Sequence, residues 1–195
     1  MNGKMVVSTN NLNPNAYKNA KGYLRPEERE YLHHIAAHAG LEGVILNIGT
    51  EYGASLVCFR LGNVDCTIIG MDLDNTKAPD GLGIVYVTGD SSKLFEVVSR
   101  AYPIVDVLFI DGDHTYQGVL ADTAYTQLID IGGYVIFHDC YDFHRPRNVA
   151  GEPRIHDLVP GVNQAVSEWY ETFNGCWSEH GSVGTMRIFK RLSCV

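Results

Sequence analysis

Positive charge is scarce in this chain: 15 Lys and Arg stand against 23 Asp and Glu among 195 residues, for a formal net charge of −8. A protein that grips a phosphate backbone concentrates basic side chains in a patch or stripe. Nucleic acid is therefore not the expected partner, and a small molecule is. Long apolar runs are also missing. No stretch approaches the roughly 18 residues that span a bilayer, and Met1 to Pro14 is Asn-rich and lacks the apolar centre of a signal peptide. A soluble, cytoplasmic protein without a membrane partner is expected. The cysteines lack any pairing pattern. Cys58, Cys66, Cys140, Cys176 and Cys194 are odd in number, scattered and free of C-x-x-C spacing, which argues against a zinc site and a disulfide framework and for reduced thiols. Internal repeats are absent, and the length suits one domain, 23–195, behind a polar arm, 1–22.

What is present is alternation. Short apolar runs suited to strands buried on both faces occur at Val44 to Ile48, Thr67 to Met71, Ile84 to Val87, Val105 to Ile110 and Tyr134 to Phe137. Helical patterns lie around and between them. The first starts at Pro26, with Glu27 and Glu28 in the turn where the dipole favours acids. It carries Tyr31, Leu32, Ile35, Ala36 and Ala39 on one face and stops at Gly40. A second covers Lys93 to Ala101. A third is read over Gln117 to Ile131, with Leu120, Ala124, Leu128 and Ile131 as its apolar stripe, Asp122 and Asp130 off it, and Gly132-Gly133 closing it. A last helix, about Val162 to Phe173, precedes a hairpin of Cys176 to His180 and Thr185 to Arg191 around Gly181 to Gly184. The class implied is α/β: a Rossmann-like, doubly wound, mostly parallel seven-stranded sheet with an antiparallel C-terminal hairpin. In such sheets the ligand lies outside the carboxyl ends of the strands.

Those ends carry the chemistry. They read Asn47-Ile-Gly49, Met71-Asp72, Thr88-Gly-Asp90-Ser91, Asp111-Gly-Asp113-His114 and Phe137-His138-Asp139. The loop after the first strand, Gly49-Thr-Glu51-Tyr-Gly53-Ala-Ser55, lacks the third glycine of a dinucleotide G-x-G-x-x-G, so no diphosphate cradle is evident. Asp72 is placed to accept from both ribose hydroxyls of a nucleoside, although an Asp here also starts turns. Asp90 with Ser91 can meet an adenine edge, can cap the following helix, or both. His114 and His138 titrate near neutrality and can take a proton.

The stretch Leu108-Phe-Ile-Asp111-Gly-Asp113-His114-Thr-Tyr116, with Phe137-His138-Asp139, resembles the DGDHSY and FHD signatures of a family of class I S-adenosylmethionine-dependent methyltransferases. Relatives in that family methylate hydroxyls on small metabolites and sugars. The resemblance runs from about Gly22 to Lys190 and takes in Pro160-Gly-Val162. It implies that Gly49, Gly53 and Ser55 surround the methionine part of the cofactor, Asp72 holds the ribose, Asp90 and Ser91 meet the adenine, and Asp111 lies beneath the methyl. Asn47 stands where many such enzymes have an acid, which weakens contact with the cofactor amine or passes that role to Glu51 or Asp111. Related metal-dependent enzymes use oxygen ligands at the positions of Asp111, His138 and Asp139. This implies a divalent ion, Mg or Mn. The imidazole of His138 suits Mn, Fe or Zn better than Mg, or serves as the base.

His114, His138 and Asp111 are thus the candidate catalytic groups for O-methylation of a small acceptor. The segment Tyr141 to Val159 brings His144, Arg145, Arg147, Arg154 and His156 over the site, as a lid for an anionic acceptor or as a solvated loop. The alternatives are an NAD(P)-dependent oxidoreductase on the same architecture, a two-metal phosphohydrolase, and a cofactor-binding protein without turnover. A homo-oligomer is compatible with all of them.

Overall fold

The computed structural model describes residues 13–140 and 159–193. Twelve elements matter here: α1 (Pro26–Ile35), β1 (Val44–Ile48), α2 (Ala54–Gly62), β2 (Thr67–Asp72), β3 (Val85–Thr88), α3 (Ser91–Ala101), β4 (Val105–Ile110), α4 (Tyr116–Asp122), β5 (Ile129–Phe137), α5 (Val159–Phe173), β6 (Trp177–Val183) and β7 (Met186–Arg191). The seven strands form one sheet in the order β3-β2-β1-β4-β5-β7-β6. Neighbours pair in parallel from β3 to β5, and β7 runs antiparallel to both β5 and β6, so β7 alone opposes the rest. This is the fold that the strand–helix alternation predicts.

Successive residues of a strand point to opposite faces, and here both faces are covered. Ile45, Ile68, Val107 and Phe109 meet Leu32, Ile35 and Phe59 of α1 and α2 on one side. Leu46, Ile69, Leu108 and Phe137 meet Val98, Val119, Val166 and Trp169 of α3, α4 and α5 on the other. Each such large apolar side chain contributes roughly 1.5–3 kcal/mol on full burial. No helix among the described residues is long and apolar enough to cross a membrane.

Three local expectations are corrected. The helix expected over Gln117 to Ile131 stops at Asp122, passes into a 3₁₀ segment at Thr123–Leu128, and gives way to β5 at Ile129. Two members of its supposed stripe, Leu120 and Ile131, are 41% and 68% exposed, whereas Asp122, read as off the stripe, is buried. Threonines explain the early stop: the hydroxyls of Thr123 and Thr126 donate back to the carbonyls of Leu120 and Thr123, competing with the α-helical ladder. The hairpin is tighter than expected, because Val183 pairs with Met186 across a two-residue turn at Gly184 (φ 60°) and Thr185. Lastly, Cys58, Cys66 and Cys140 are free, as expected, and buried, but Cys176 is disulfide-bonded.

Candidate cofactor and methyl-transfer site

The switch in strand order falls between β1 and β4, since the chain winds outward through β2 and β3 and then returns to the other side of β1. Backbone hydrogen bonds continue past the strand ends and hold the site residues in a row. Gly49 N–H donates to Met71 O, Asp111 N–H to Ile48 O, His138 N–H to Ile110 O, and Gly89 N–H to Asp72 O. A cavity of about 730 Å³ opens there, a size suited to a cofactor-sized ligand.

Gly49 has φ 82°, and a Cβ on it would fall 1.9 Å from the Asp111 carbonyl oxygen. Only glycine lets β1 turn beneath β4 at this point. Gly53 (φ 77°) caps α2, and Glu51 between them is held at φ 42°. Asp72 organises the turn: Oδ2 accepts from the backbone N–H groups of Thr50 and Glu51 at 2.7 and 2.9 Å and from Thr50 Oγ1 at 3.3 Å. Oδ1 accepts from Asp74 N–H at 3.2 Å.

Gly49, Glu51, Ser55 and Asp72 line the cavity from β1, α2 and β2, and Asp111, His114, His138 and Asp139 line it from β4 and β5. Asn47, Gly53, Asp90 and Ser91 do not line it. Asn47 is fully buried, donating from Nδ2 to Gly49 O at 2.7 Å with its Oδ1 unpartnered among the described residues. It braces the glycine loop from below. Asp90 caps α3, accepting from Ser92 and Lys93, and the Lys93 ammonium foremost holds its carboxyl down at about 2. Ser91 O accepts from Tyr125. Residues 141–158, with the arginines expected over the site, lie outside the described residues.

The floor of the cavity is a chain of buried charge. His138, 8% exposed, sits between Asp111 Oδ1 (3.0 Å from Nδ1) and Glu28 Oε2 (3.2 Å from Nε2), with Asp139 Oδ1 at 3.5 Å from Nδ1. His114 Nε2 lies 3.3 Å from Asp111 Oδ1 and 3.4 Å from Asp139 Oδ2. Burial alone would favour the neutral forms. It is outweighed at His138 by the Asp111 charge and by hydrogen bonds to Asp111 and Glu28, which hold the imidazole's pKa well above its usual value. The same contacts overcome burial at Asp111 and Glu28 and hold both carboxyls at about 2. Asp139 goes the other way: burial raises it, with His138 opposing. The Asp111 hydrogen bond raises His114.

Glu28 is the residue that sequence reasoning missed. The sequence places it beside Glu27 in the acidic first turn of α1, yet it lies four residues before Leu32 and seven before Ile35, on the buried face of the helix. An acid on an apolar stripe was the available signal. Tyr23 to Arg25 and Thr185, also unforeseen, close the cavity on the same side.

Asp111, His138 and Asp139 each offer a donor atom within 4.8 Å of the others. Two hard carboxylates with one imidazole fit a divalent ion of the Mn, Fe or Zn type better than an all-oxygen Mg site.

Residues 46–140 match a family described as a methyltransferase domain. An uncharacterised protein of Acanthamoeba polyphaga mimivirus is 37% identical over 76 residues, which is 38% of this chain and 30% of the viral protein. Among solved structures, the MycE methyltransferase of mycinamycin biosynthesis, bound to Mg, S-adenosylhomocysteine and mycinamycin VI, superposes with a TM-score of 0.67 at 16% identity, over 93% of this chain and 55% of MycE. An O-methyltransferase from Bacillus cereus in complex with S-adenosylhomocysteine gives 0.61 at 17% identity over 91% and 87%. The O-methyltransferase NovP gives 0.62 at 14% over 86% and 80%. The chain thus spans about half the length of MycE and under a third of the viral protein. None of these matches favours an oxidoreductase. Residues 46–140 thus match a methyltransferase domain, and the chain shares its fold with these methyltransferase structures.

Proposed function

We infer that the protein transfers a methyl group from S-adenosylmethionine to a hydroxyl oxygen of a small metabolite or sugar. The observation that carries this reading is the meeting of Asp72, the Gly49 turn and the Asp111–His114 pair in one cavity at the switch in strand order. When bound, S-adenosylmethionine supplies an electrophilic methyl on a sulfonium, which an aligned acceptor oxygen displaces in line. The protein's tasks are then alignment, charge and one proton.

Asp72 Oδ1 accepts a single backbone N–H and retains capacity for a ribose hydroxyl. Glu51 and Asp111 supply negative charge toward the amine and the sulfonium. His114 is the base that takes the acceptor proton: its side chain is 32% exposed at the cavity, and Asp111 and Asp139 stabilise the imidazolium that forms. His138 is the weaker choice, because both its nitrogens are engaged and it is buried. A divalent ion held by Asp111, His138 and Asp139 would act as a Lewis acid on the acceptor hydroxyl. The arginines of 141–159 are proposed to attract an anionic acceptor, and a cytoplasmic location and a homo-oligomer remain part of the reading.

Isothermal calorimetry tests it. One S-adenosylhomocysteine is expected to bind per chain, and Asp72→Ala to weaken binding at least tenfold, because it removes the ribose acceptor and frees the Thr50 and Glu51 amides together. Absence of heat at millimolar ligand overturns the reading.

A further inference from the structure

Glu28 is fully buried among hydrogen-bond donors. Oε1 accepts from Thr185 N–H at 2.7 Å and from Thr185 Oγ1 at 2.9 Å. Oε2 accepts from Arg25 N–H at 2.8 Å and faces His138 Nε2 at 3.2 Å. Backbone N–H groups can only donate, one of them reaches each oxygen and the Thr185 hydroxyl adds a third donor, and these contacts favour the ionised carboxylate, which has no proton to give. The proton between Glu28 and His138 therefore belongs to Nε2. The other ring nitrogen, Nδ1, is turned to the oxygens of Asp111 and Asp139.

The C-terminal hairpin is shaped around the same carboxylate. A Cβ at Gly184 would fall 2.3 Å from Glu28 Oε1, and φ there is +60°. A turn from the far end of the chain and the first turn of α1 are both committed to holding one acid against His138. Histidines that ligate metals are commonly oriented in this way, by an acceptor on the nitrogen that faces away from the ion.

We propose that Glu28 is a positioning residue that presents His138 Nδ1, together with the Asp111 and Asp139 carboxylates, as a mixed nitrogen–oxygen site that takes Mn(II) in preference to Mg(II). The assignment rests on the reading of this cavity as a metal-assisted methyltransferase site.

The test is Mn(II) titration followed by electron paramagnetic resonance, with pulsed measurements reading ¹⁴N coupling from a ligating imidazole. The wild-type protein is expected to bind one Mn(II) with that coupling, at least tenfold more tightly than Mg(II) by competition. Glu28→Gln keeps the shape but sets an amide NH₂ against an obligate donor on one side or the other. It is expected to lower Mn(II) affinity about 10- to 100-fold and to abolish the nitrogen coupling. Unchanged affinity and coupling in the variant, or no nitrogen coupling in the wild type, overturns the proposal. Should Glu28→Gln fail to fold, a long-range ¹H–¹⁵N correlation on the Zn(II)-loaded wild type decides. A proton on His138 Nε2 supports the assignment, and a proton on Nδ1 overturns it. Calorimetry with S-adenosylhomocysteine separates the two readings. Heat without nitrogen coupling removes the role of Glu28 alone, whereas nitrogen coupling without heat removes the methyltransferase reading and leaves the ligand geometry standing.

Discussion

Asp122 shows how much a single side chain can oppose its own fold. It closes α4 against the underside of the β4 loop, where a Cβ on Gly112 would lie 3.1 Å from its Oδ2. It is 1% exposed, and neither oxygen has a partner of full hydrogen-bond geometry among the described residues. Burial pushes its carboxyl up to about 6, a contact with Ser91 opposing only in part. An acid whose folded pKa is raised binds its proton more tightly folded than unfolded. Its protonated form therefore supports the fold fully below about pH 4, and that support is lost as pH rises through about 6. Asp122→Asn removes the titration. The melting temperature of the variant relative to wild type is expected to rise between pH 4 and pH 8, by the equivalent of about 1–3 kcal/mol. Paired calorimetric scans check this, and a gap independent of pH would show that Asp122 finds a partner when ionised.

At the scale of elements, the segment before α1 is tied down by one buried arginine. Arg29 Nε donates to Leu24 O, Nη1 to Tyr17 O and Ala20 O, and Nη2 to Gly22 O, at 2.6 to 3.1 Å. Four carbonyls of an irregular stretch thus find donors in one planar fork, which lysine cannot reproduce. Because Gly22 to Arg25 line the cavity, the same fork shapes its wall. Arg29→Met keeps the packing of the stem but strands the carbonyls. It is expected to cost more than about 2 kcal/mol and to speed amide exchange over residues 20–25, while β1 and β4 stay protected. Unchanged exchange there would show that the segment is held by Tyr17 packing instead. None of these contacts was legible beforehand, since an arginine among Glu-rich helix residues reads as surface charge. The parallel strands were legible because burial on both faces leaves an unbroken apolar run. β5 was legible only from Tyr134 onward: a register shift against β4 separates the Val105–Ile129 pair from Val107–Tyr134, and the exposed Asp130 and Ile131 follow no strand period. The acids at the strand ends were visible as a series. Glu28 was not, because its partners His138 and Thr185 are 110 and 157 residues away.

For the whole molecule, the site is assembled from parts that cannot hold it separately. Glu28 from α1, the Gly49 turn from β1, Asp72 from β2, Asp111 from β4, His138 from β5 and Thr185 from the last hairpin meet at one edge of the sheet. A ligand that fills this cavity therefore binds the folded chain and not the unfolded one. By mass action, S-adenosylhomocysteine at 100 times its dissociation constant adds about 2.7 kcal/mol of stability. For a domain of this size that corresponds to a rise in melting temperature of about 5–10 °C. The rise is expected to grow with the logarithm of ligand concentration in the wild type and to fall to about half or less in Asp72→Ala at the same concentration, since tenfold weaker binding leaves about 1.4 kcal/mol, a comparison that thermal scans at several concentrations make directly. If the ligand binds by calorimetry yet leaves the melting temperature unmoved, the cavity is opening independently of the sheet. The coupling of α1 and the C-terminal hairpin through Glu28 would then be a local clasp, not a keystone of the fold.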